Sequence, residues 1–481
     1  MYCVRARSCL YYLTSFLKAE TKGRLYRHIA AEFAVSNAVT THFRSDTDTA
    51  TSIAVCPPYV YTVSKDITLV KWELPTPSPQ HKSSRPKKAP KRAPPPKARR
   101  PKKLLSTKGN RKKASDSSYK HHIAPILTVA ASSSGKFVAT GGVDKRLIVW
   151  SAADLTPLRV FTQHRDAVTS LAFRRGTNQL YSASRDRTIK TWSLDELAYV
   201  ETLFGHQDEV VDVAALAREQ CISVGARDRT ARLWKVVEET QLVFRGGGGG
   251  GGGSEKRRQQ SRDNIKEGEP SLQSYLEGSI DRVALIDEET FVTGSDNGAL
   301  SLWTMHKKKP VFIVRAAHGL DPPLKPEEVF AEAKPDQKVP GEPQPRWITA
   351  LATIPYSDLI LSGSWDGEVR VWRVSEDKRK IEALGTVGEA GVKATANSIL
   401  ATTEANTKIR GVINDIDVFE RGDRGKDGIC IVVATGREHR LGRWKMVEGK
   451  NGALVIEIPR LPGEKSDRHG HENGQLDEVA A

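Results

Sequence analysis

Along this chain a short run of alternating apolar residues closes again and again on a tryptophan, preceded by a tight polar turn and, before the turn, by a strand of small residues. The pattern occurs seven times: SKDITLVKW ending at Trp72, GVDKRLIVW at Trp150, SRDRTIKTW at Trp192, ARDRTARLW at Trp234, SDNGALSLW at Trp303, SWDGEVRVW at Trp372 and GREHRLGRW at Trp444. Five copies hold an aspartate six residues before the tryptophan, at Asp66, Asp144, Asp186, Asp228 and Asp366, and the other two hold Asn297 and Glu438 there. Alternation with period two is the mark of a strand, and the polar residues ahead of it supply a turn. Each copy therefore predicts a hairpin whose second strand ends on an indole.

Trp150, Trp192 and Trp234 lie 42 residues apart, which matches the roughly 40–45 residues of a four-stranded WD blade. The other gaps, of 78, 69, 69 and 72 residues, are one blade plus an insertion. The insertions, at 75–118, 246–274, 319–345 and 386–408, are rich in Pro/Lys/Arg, glycine, proline and small residues respectively, and such compositions predict disorder. The run Gly246 to Gly253 is a spacer, since no GK[ST] follows to make a phosphate cradle. The fold class is thus all-β, a seven-bladed WD-repeat β-propeller over 46–460. Ala453 to Ile458 offers one more strand, and a segment before Thr51 completes the last blade. Leu25, Ile29 and Phe33 stand at helical spacing, so a short helix is expected over Thr21 to Phe33 within an N-terminal extension, 1–45. Residues 461–481 read as a disordered tail.

Charge changes the picture locally. The net charge is +16, yet His81 to Lys113 alone carries 15 Lys/Arg and no acidic residue, so the folded body is close to neutral. Cys3, Cys9, Cys56, Cys221 and Cys430 form no CxxC pair and no zinc-like spacing with histidine, which predicts reduced thiols and no metal site. Ser8 to Leu17 is too polar for a signal-peptide core and too short to span a bilayer, so a soluble chain is expected, with no membrane partner.

The aspartate of each repeat sits where it can bond a histidine from the preceding loop, which in turn can meet a hydroxyl and the indole nitrogen. The third repeat has all four parts: His164, Ser182, Asp186 and Trp192. The fourth has His206, Asp228 and Trp234 but Val224 at the hydroxyl position, so its network is expected to be incomplete. Such sets resemble catalytic triads, but their repetition argues for structural hydrogen-bond networks. No nucleophile motif, distinctive carboxylate pair or metal-ligand cluster is present, so neither catalysis, a cofactor nor a small-molecule substrate is expected.

A propeller alone says binding platform. FTQHRDAVTSLAFRRGTNQLYSASRDRTIKTW (Phe161 to Trp192), YVETLFGHQDEVVDVAALAREQCISVGARDRTARLWKVVEETQLVF (Tyr199 to Phe244) and GREHRLGRW (Gly436 to Trp444) resemble the WD-repeat proteins of the U3 small nucleolar ribonucleoprotein. The resemblance runs from about Thr51 to Arg460, outside the four insertions, and GREHRLGRW is its most discriminating piece. It implies a non-catalytic RNA-binding subunit that recognises the box B/C element of U3 small nucleolar RNA with the kink-turn-binding core protein of box C/D particles. It also implies work in the nucleolus on pre-rRNA for the small ribosomal subunit, beside other small-subunit processome proteins. A WD-repeat adaptor for proteins alone, such as a ubiquitin-ligase receptor or chromatin scaffold, is the competing class.

Arginine combines phosphate pairing with stacking on splayed bases. The candidate RNA contacts are therefore Arg174 and Arg175, the turn residues Arg185, Arg187, Arg227 and Arg229, and Arg437, His439, Arg440 and Arg443 in the last repeat, where an ordinary acidic turn has become basic. Arg443, next to Trp444, could instead face the neighbouring blade. The insertion RPKKAPKRAPPPKARRPKK reads as a nuclear import signal through Lys87, Lys88, Lys91, Arg92, Arg99, Arg100, Lys102 and Lys103, with an RNA-tethering arm and a solubilising linker as alternatives.

Overall fold

The computed structural model describes residues 26–44, 48–75, 100–116, 118–246, 278–322, 343–387 and 409–461. The glycine tract from 247, the expected disorder over most of the last three insertions, the import residues from Lys87 to Arg99, Leu25 and the tail from 462 lie outside the described residues.

Among the described residues, seven four-stranded antiparallel sheets follow one another around a ring. Blade 1 begins with Ala50–Cys56, blade 2 with Ile126–Ala131, blade 3 with Val168–Phe173, blade 4 with Val210–Ala215, blade 5 with Ile280–Leu285, blade 6 with Ala350–Thr353 and blade 7 with Val412–Glu420. These first strands meet one another around the centre of the ring. Because each sheet is covered by a neighbour on both faces, its second strand is apolar or small throughout rather than alternating; Ile429–Gly436 of blade 7 is buried at every position. The apolar residues sort into seven layers, one between each adjacent pair of blades. The tryptophans of the first six repeats lie in these layers at 0–5% exposure, and truncating one such side chain costs about 3–5 kcal/mol.

The inner strands of blades 1–5 and 7 share an irregularity. Their pairing register shifts at one residue, Thr51, Leu127, Thr169, Val211, Asp281 or Asn414. A bulged residue is left out of the ladder. Its carbonyl is then free to accept a bond from elsewhere in the ring.

Closure comes from the N-terminal side. Val39–Phe43 pairs antiparallel with Gly452–Ile458 as the fourth strand of blade 7, in register from Val39 opposite Glu457 to Phe43 opposite Ala453. The propeller thus starts ahead of residue 46, and the two ends of the ring are held together by main-chain bonds. The expected helix is corrected: over the described part, 26–33, the chain forms a strap with only a 3₁₀ turn, Ala30–Glu32. Arg27 N–H donates to the Tyr356 carbonyl at 2.9 Å, and Ile29 and Ala30 N–H both donate to Asp358 Oδ1, at 2.8 and 3.0 Å. These bonds and the burial of Ile29 and Phe33 between blades 6 and 7 outweigh local helical preference.

Two further expectations give way. The basic insertion is not a loop throughout, because Lys102–Lys108 is the fourth strand of blade 1, paired with Thr68–Glu73. A rim strand can be basic because its side chains face solvent, and here they do. Trp444 is not the core tryptophan of blade 7. Ile429–Gly436 pairs directly with Gly452–Ile458, so residues 437–451 are a loop, and the aliphatic Leu454 and Ile456 fill the layer instead. Trp444 stands 53% exposed.

Candidate nucleic-acid interface

Turns from first to second strand emerge on one face of the ring, and turns from second to third strand emerge on the other, together with the crossovers between blades. That alternation divides the candidate residues. Arg174 and Arg175 lie in a first-to-second turn, where Arg174 pairs with Glu219 at 3.2 Å and Arg175 lies 5.8 Å from the Tyr356 ring centre. Arg185, Arg187, Arg227, Arg229 and the whole 437–451 loop lie on the opposite face.

Beneath that second face, buried tetrads hold the second-to-third turns to the crossovers. In blade 3, Trp192 Nε1 donates to Ser182 Oγ at 2.8 Å, Ser182 Oγ lies 2.7 Å from His164 Nε2, and His164 Nδ1 lies 3.0 Å from Asp186 Oδ2. With the indole donating to the hydroxyl, the hydroxyl can donate to Nε2, leaving Nδ1–H to meet the carboxylate, an arrangement that keeps the ring neutral. Burial lowers the His164 pKa in the same sense. Burial alone would raise the Asp186 carboxyl, but hydrogen bonds from His164 and Thr188 outweigh it and hold it well below the usual carboxylate range. Matching sets occur at His122, Thr140, Asp144 and Trp150 and at His318, Ser362, Asp366 and Trp372. Blade 4 is also complete, against expectation: Ser223, one residue before Val224, takes the bonds from Trp234 Nε1 and to His206 Nε2, each at 2.7 Å. Its hairpin is one residue longer, pairing Ser223 with Arg232 where blade 3 pairs Ser182 with Lys190, so counting back from the aspartate lands one place late.

The blade 7 loop is closed on itself and then nailed to its neighbours. Glu438 bridges to Met446, Val447 N–H donates to the Arg437 carbonyl at 2.9 Å, and Arg437 Nε donates to the Gly449 carbonyl at 2.9 Å. Lys65 of the blade 1 turn reaches Glu438 Oε2 at 3.0 Å, and Arg185 of the blade 3 turn donates to the Leu441 carbonyl at 3.3 Å. Burial would raise the Glu438 carboxyl, but Lys65 and Arg443 hold it below its ordinary range, so it is an anion spent inside the loop.

Arg440 crosses the middle of the ring. It is 2% exposed, and its guanidinium donates to the carbonyls of the bulged residues Thr169 and Val211, at 2.7 and 3.2 Å. Arg282 from blade 5 does the same on the other side, donating to the carbonyls of Thr349 and of the bulged Asn414. Burial and then the charge of Arg282 lower the Arg440 pKa to about 10, which leaves it charged at neutral pH beside Asp212, Asp415 and Asp281. His439 is buried too, and burial with the nearby cations Arg440, Arg282 and Lys65 pushes its pKa well down, so it is neutral. Neither side chain faces outward. Arg437 and Arg443 do, the latter with a side chain 75% exposed; Arg443 lies against its own loop, donating to Glu438 at 3.1 Å, rather than into a neighbouring blade.

Arg187 and Arg229 are exposed and adopt φ of 67° and 53°. The corresponding turn position is Gly298 in blade 5 and Gly367 in blade 6, with φ of 68° and 75°. A side chain there costs about 1 kcal/mol in backbone strain relative to glycine, so the fold alone does not ask for arginine. Arg227, also exposed, anchors its turn through its N–H, which donates to Asp208 Oδ2 at 3.0 Å.

Sequence reasoning overlooked Lys65, Arg282, Lys445 and two tryptophans. The available signal was numerical: nine tryptophans, seven of them closing a repeat, leave Trp347 and Trp365, the latter inside the turn of the sixth copy, without an assigned place. On this same face Trp347 lies beside Trp444, and Trp365 lies beside Trp347.

The WD domain, G-beta repeat model matches residues 114–151, 155–193, 198–235 and 334–373. The chain is 36% identical to ribosomal RNA-processing protein 9 of Saccharomyces cerevisiae, over 89% of this chain and 74% of that protein. It is 36% identical to U3 small nucleolar RNA-interacting protein 2 of Homo sapiens, over 92% of this chain and 74% of that protein. A solved structure titled "Structure of U3-55K" superposes with a TM-score of 0.62 at 32% identity, covering 87% of this chain and 98% of that one. Against its curated relatives the chain spans from 56% to 74% of their length. With the ring, its repeats and its seventh-blade loop in place, the chain belongs to the family of WD-repeat propeller proteins of the U3 small nucleolar ribonucleoprotein.

Proposed function

We propose that this protein is a non-catalytic RNA-binding subunit of the U3 small nucleolar ribonucleoprotein, acting in the nucleolus in pre-rRNA processing for the small ribosomal subunit. Its partners are U3 RNA, the kink-turn-binding box C/D core protein and other small-subunit processome proteins, and the element it recognises is box B/C. The observation that carries the reading is the 437–451 loop: five Lys/Arg against two acidic residues, held rigid across the ring, with Arg437 and Arg443 outward. A fixed loop presents cations to phosphates without losing the entropy of ordering itself on binding. Exposed Arg187 and Arg229, at backbone positions that suit glycine, extend the same surface.

In this reading Arg437, Arg443, Arg187, Arg227 and Arg229 touch RNA, whereas Arg440, His439 and Arg185 position the loop. Arg174 and Arg175 face the other side of the ring and are assigned to protein neighbours. The rim strand of Lys102–Lys108 leaves Lys102 and Lys103 exposed, in keeping with an import signal that includes Arg100.

The test is crosslinking in cells followed by RNA sequencing. Enrichment of U3 RNA over bulk ribosomal RNA is expected; equal recovery would favour the protein-only adaptor. Independently, Arg437→Ala with Arg443→Ala should weaken binding to box B/C RNA carrying its core protein by about 5- to 100-fold and reduce its salt dependence, as loss of two phosphate contacts requires.

A further inference from the structure

The exposed indole of Trp444 stands in a built frame. Its ring centre lies 5.8 Å from that of Trp347, which lies 5.6 Å from Trp365, with interplanar angles of 42° and 44°. His439, buried and neutral, packs at 4.8 Å from Trp444 on the loop side. Gly442 is what lets the ring fold back on its own loop, because a Cβ there would fall 2.0 Å from Trp444 Cζ3. Trp365 is held from below: its Nε1 donates to Asp321 Oδ1 at 3.0 Å, and Lys445 Nζ sits 4.0 Å over its ring while pairing with Asp321. Arg346 completes the clamp, donating to the same carboxylate oxygen at 3.1 Å.

This arrangement serves no layer of the propeller. The six layer tryptophans each have a buried indole whose nitrogen is paired inside the ring or whose ring is covered by a neighbouring blade, whereas Trp444 leaves half its surface in solvent. Leaving a large apolar side chain uncovered forfeits burial energy, and here three loops combine to fix it in that state. The acidic groups nearby, Asp321 and Glu438, are already paired with Lys445, Arg346, Lys65 and Arg443. What remains outward is an aromatic surface edged by cations.

We propose that Trp347, Trp365 and Trp444 form a stacking platform for an unpaired base of the bound RNA, with Arg443 and Arg437 on the adjoining phosphates. An indole accepts a splayed base of any identity, and cations beside it distinguish a nucleotide from a neutral apolar peptide. The platform rests on the reading that this face binds RNA, and it explains why the seventh tryptophan was moved out of the core into a loop.

The experiment measures affinity of wild type, Trp444→Ala and Trp444→Phe for box B/C RNA bound to its core protein, with the unpaired nucleotides replaced one at a time by abasic sites. Trp444→Ala should weaken binding by about tenfold to a hundredfold, and Trp444→Phe should retain most of the affinity. One abasic position should weaken wild type to the same degree and have no further effect on Trp444→Ala. Equal urea midpoints for the three proteins separate loss of stacking from loss of fold. If wild type binds and Trp444→Ala binds equally well, the platform is refuted while the RNA reading stands. If wild type itself fails to bind, both fail. Retained RNA binding in Trp444→Ala with loss of binding to a polyproline peptide would assign the platform to protein recognition and overturn the proposal.

Discussion

Arg440→Ala removes the bond that ties blade 7 to blades 3 and 4 across the ring. Two charge-assisted hydrogen bonds are lost, from Nη1 to the Thr169 carbonyl at 2.7 Å and from Nη2 to the Val211 carbonyl at 3.2 Å. Each such bond contributes about 1.5–3 kcal/mol, the longer one toward the lower figure. Two effects oppose the loss: relief of repulsion with Arg282, which already lowers the Arg440 pKa, and entry of water to satisfy the freed carbonyls. The net cost should be about 3 kcal/mol. Arg440→Lys keeps the charge but cannot bridge two carbonyls from different blades, so it should lose about half of that. Urea unfolding followed by tryptophan fluorescence reads the stability, and amide exchange in Val168–Phe173 and Val210–Ala215 should rise in step. A loss under about 1 kcal/mol for alanine, or a lysine variant equal to wild type, would mean that the guanidinium does not hold the ring together.

Ser182→Ala should cost about 1–3 kcal/mol, because it strands the Trp192 indole N–H and His164 together, while Ser182→Thr should be tolerated, as blade 2 uses Thr140 at the same point; thermal unfolding checks both. Acid should destabilise early. The carboxyls of Asp144, Asp186, Asp228 and Asp366 are lowered in the fold, and the lowered pKa of buried His164 and His206 means that the unfolded chain takes up protons the native one refuses. The stability that these groups contribute is thus full above about pH 7.5 and falls as pH drops through the histidine and then the carboxylate range, which pH-dependent urea midpoints would show. Asp281 behaves in the opposite sense: burial, with Asp296 adding, raises it to about 7, so the native state keeps a proton the unfolded chain has lost, and stability from this group declines between about pH 4 and pH 7. Asp281→Asn should therefore gain on wild type as pH rises from about 5 to 8, and a constant difference across that range would refute it. Arg187→Gly should hold or raise stability by about 1 kcal/mol while weakening RNA binding; a fall in both would make Arg187 a structural residue.

How far the sequence could be read depended on whether a feature repeats. Six of the seven tryptophans and the tetrad of blade 3 were visible because period-two strands and fixed turns leave the same spacing in each copy. The seventh copy satisfied that spacing by coincidence. GREHRLGRW ends on a tryptophan six residues after an acidic residue, but its Glu438 bonds Lys65 rather than a histidine, and the aliphatic run ICIVVAT ahead of it needs no indole to fill its layer. Val224 misled for a smaller reason, one extra residue in a hairpin. Arg440 and Arg437 look alike in sequence, since nothing local says that one crosses the ring to bulged carbonyls and the other stays outside. Lys102–Lys108 was hidden by composition: a rim strand faces solvent and needs only main-chain pairing, so lysines cost it nothing.

Whether this face holds the RNA is decided by ultraviolet crosslinking of the purified chain to box B/C RNA bearing its core protein, with the attached peptides mapped by mass spectrometry. Crosslinks are expected within residues 437–451 and at Trp347 or Trp365, on the face that carries the second-to-third turns. Crosslinks concentrated around Arg174 and Arg175 on the opposite face, or none above a bulk RNA control, would contradict it.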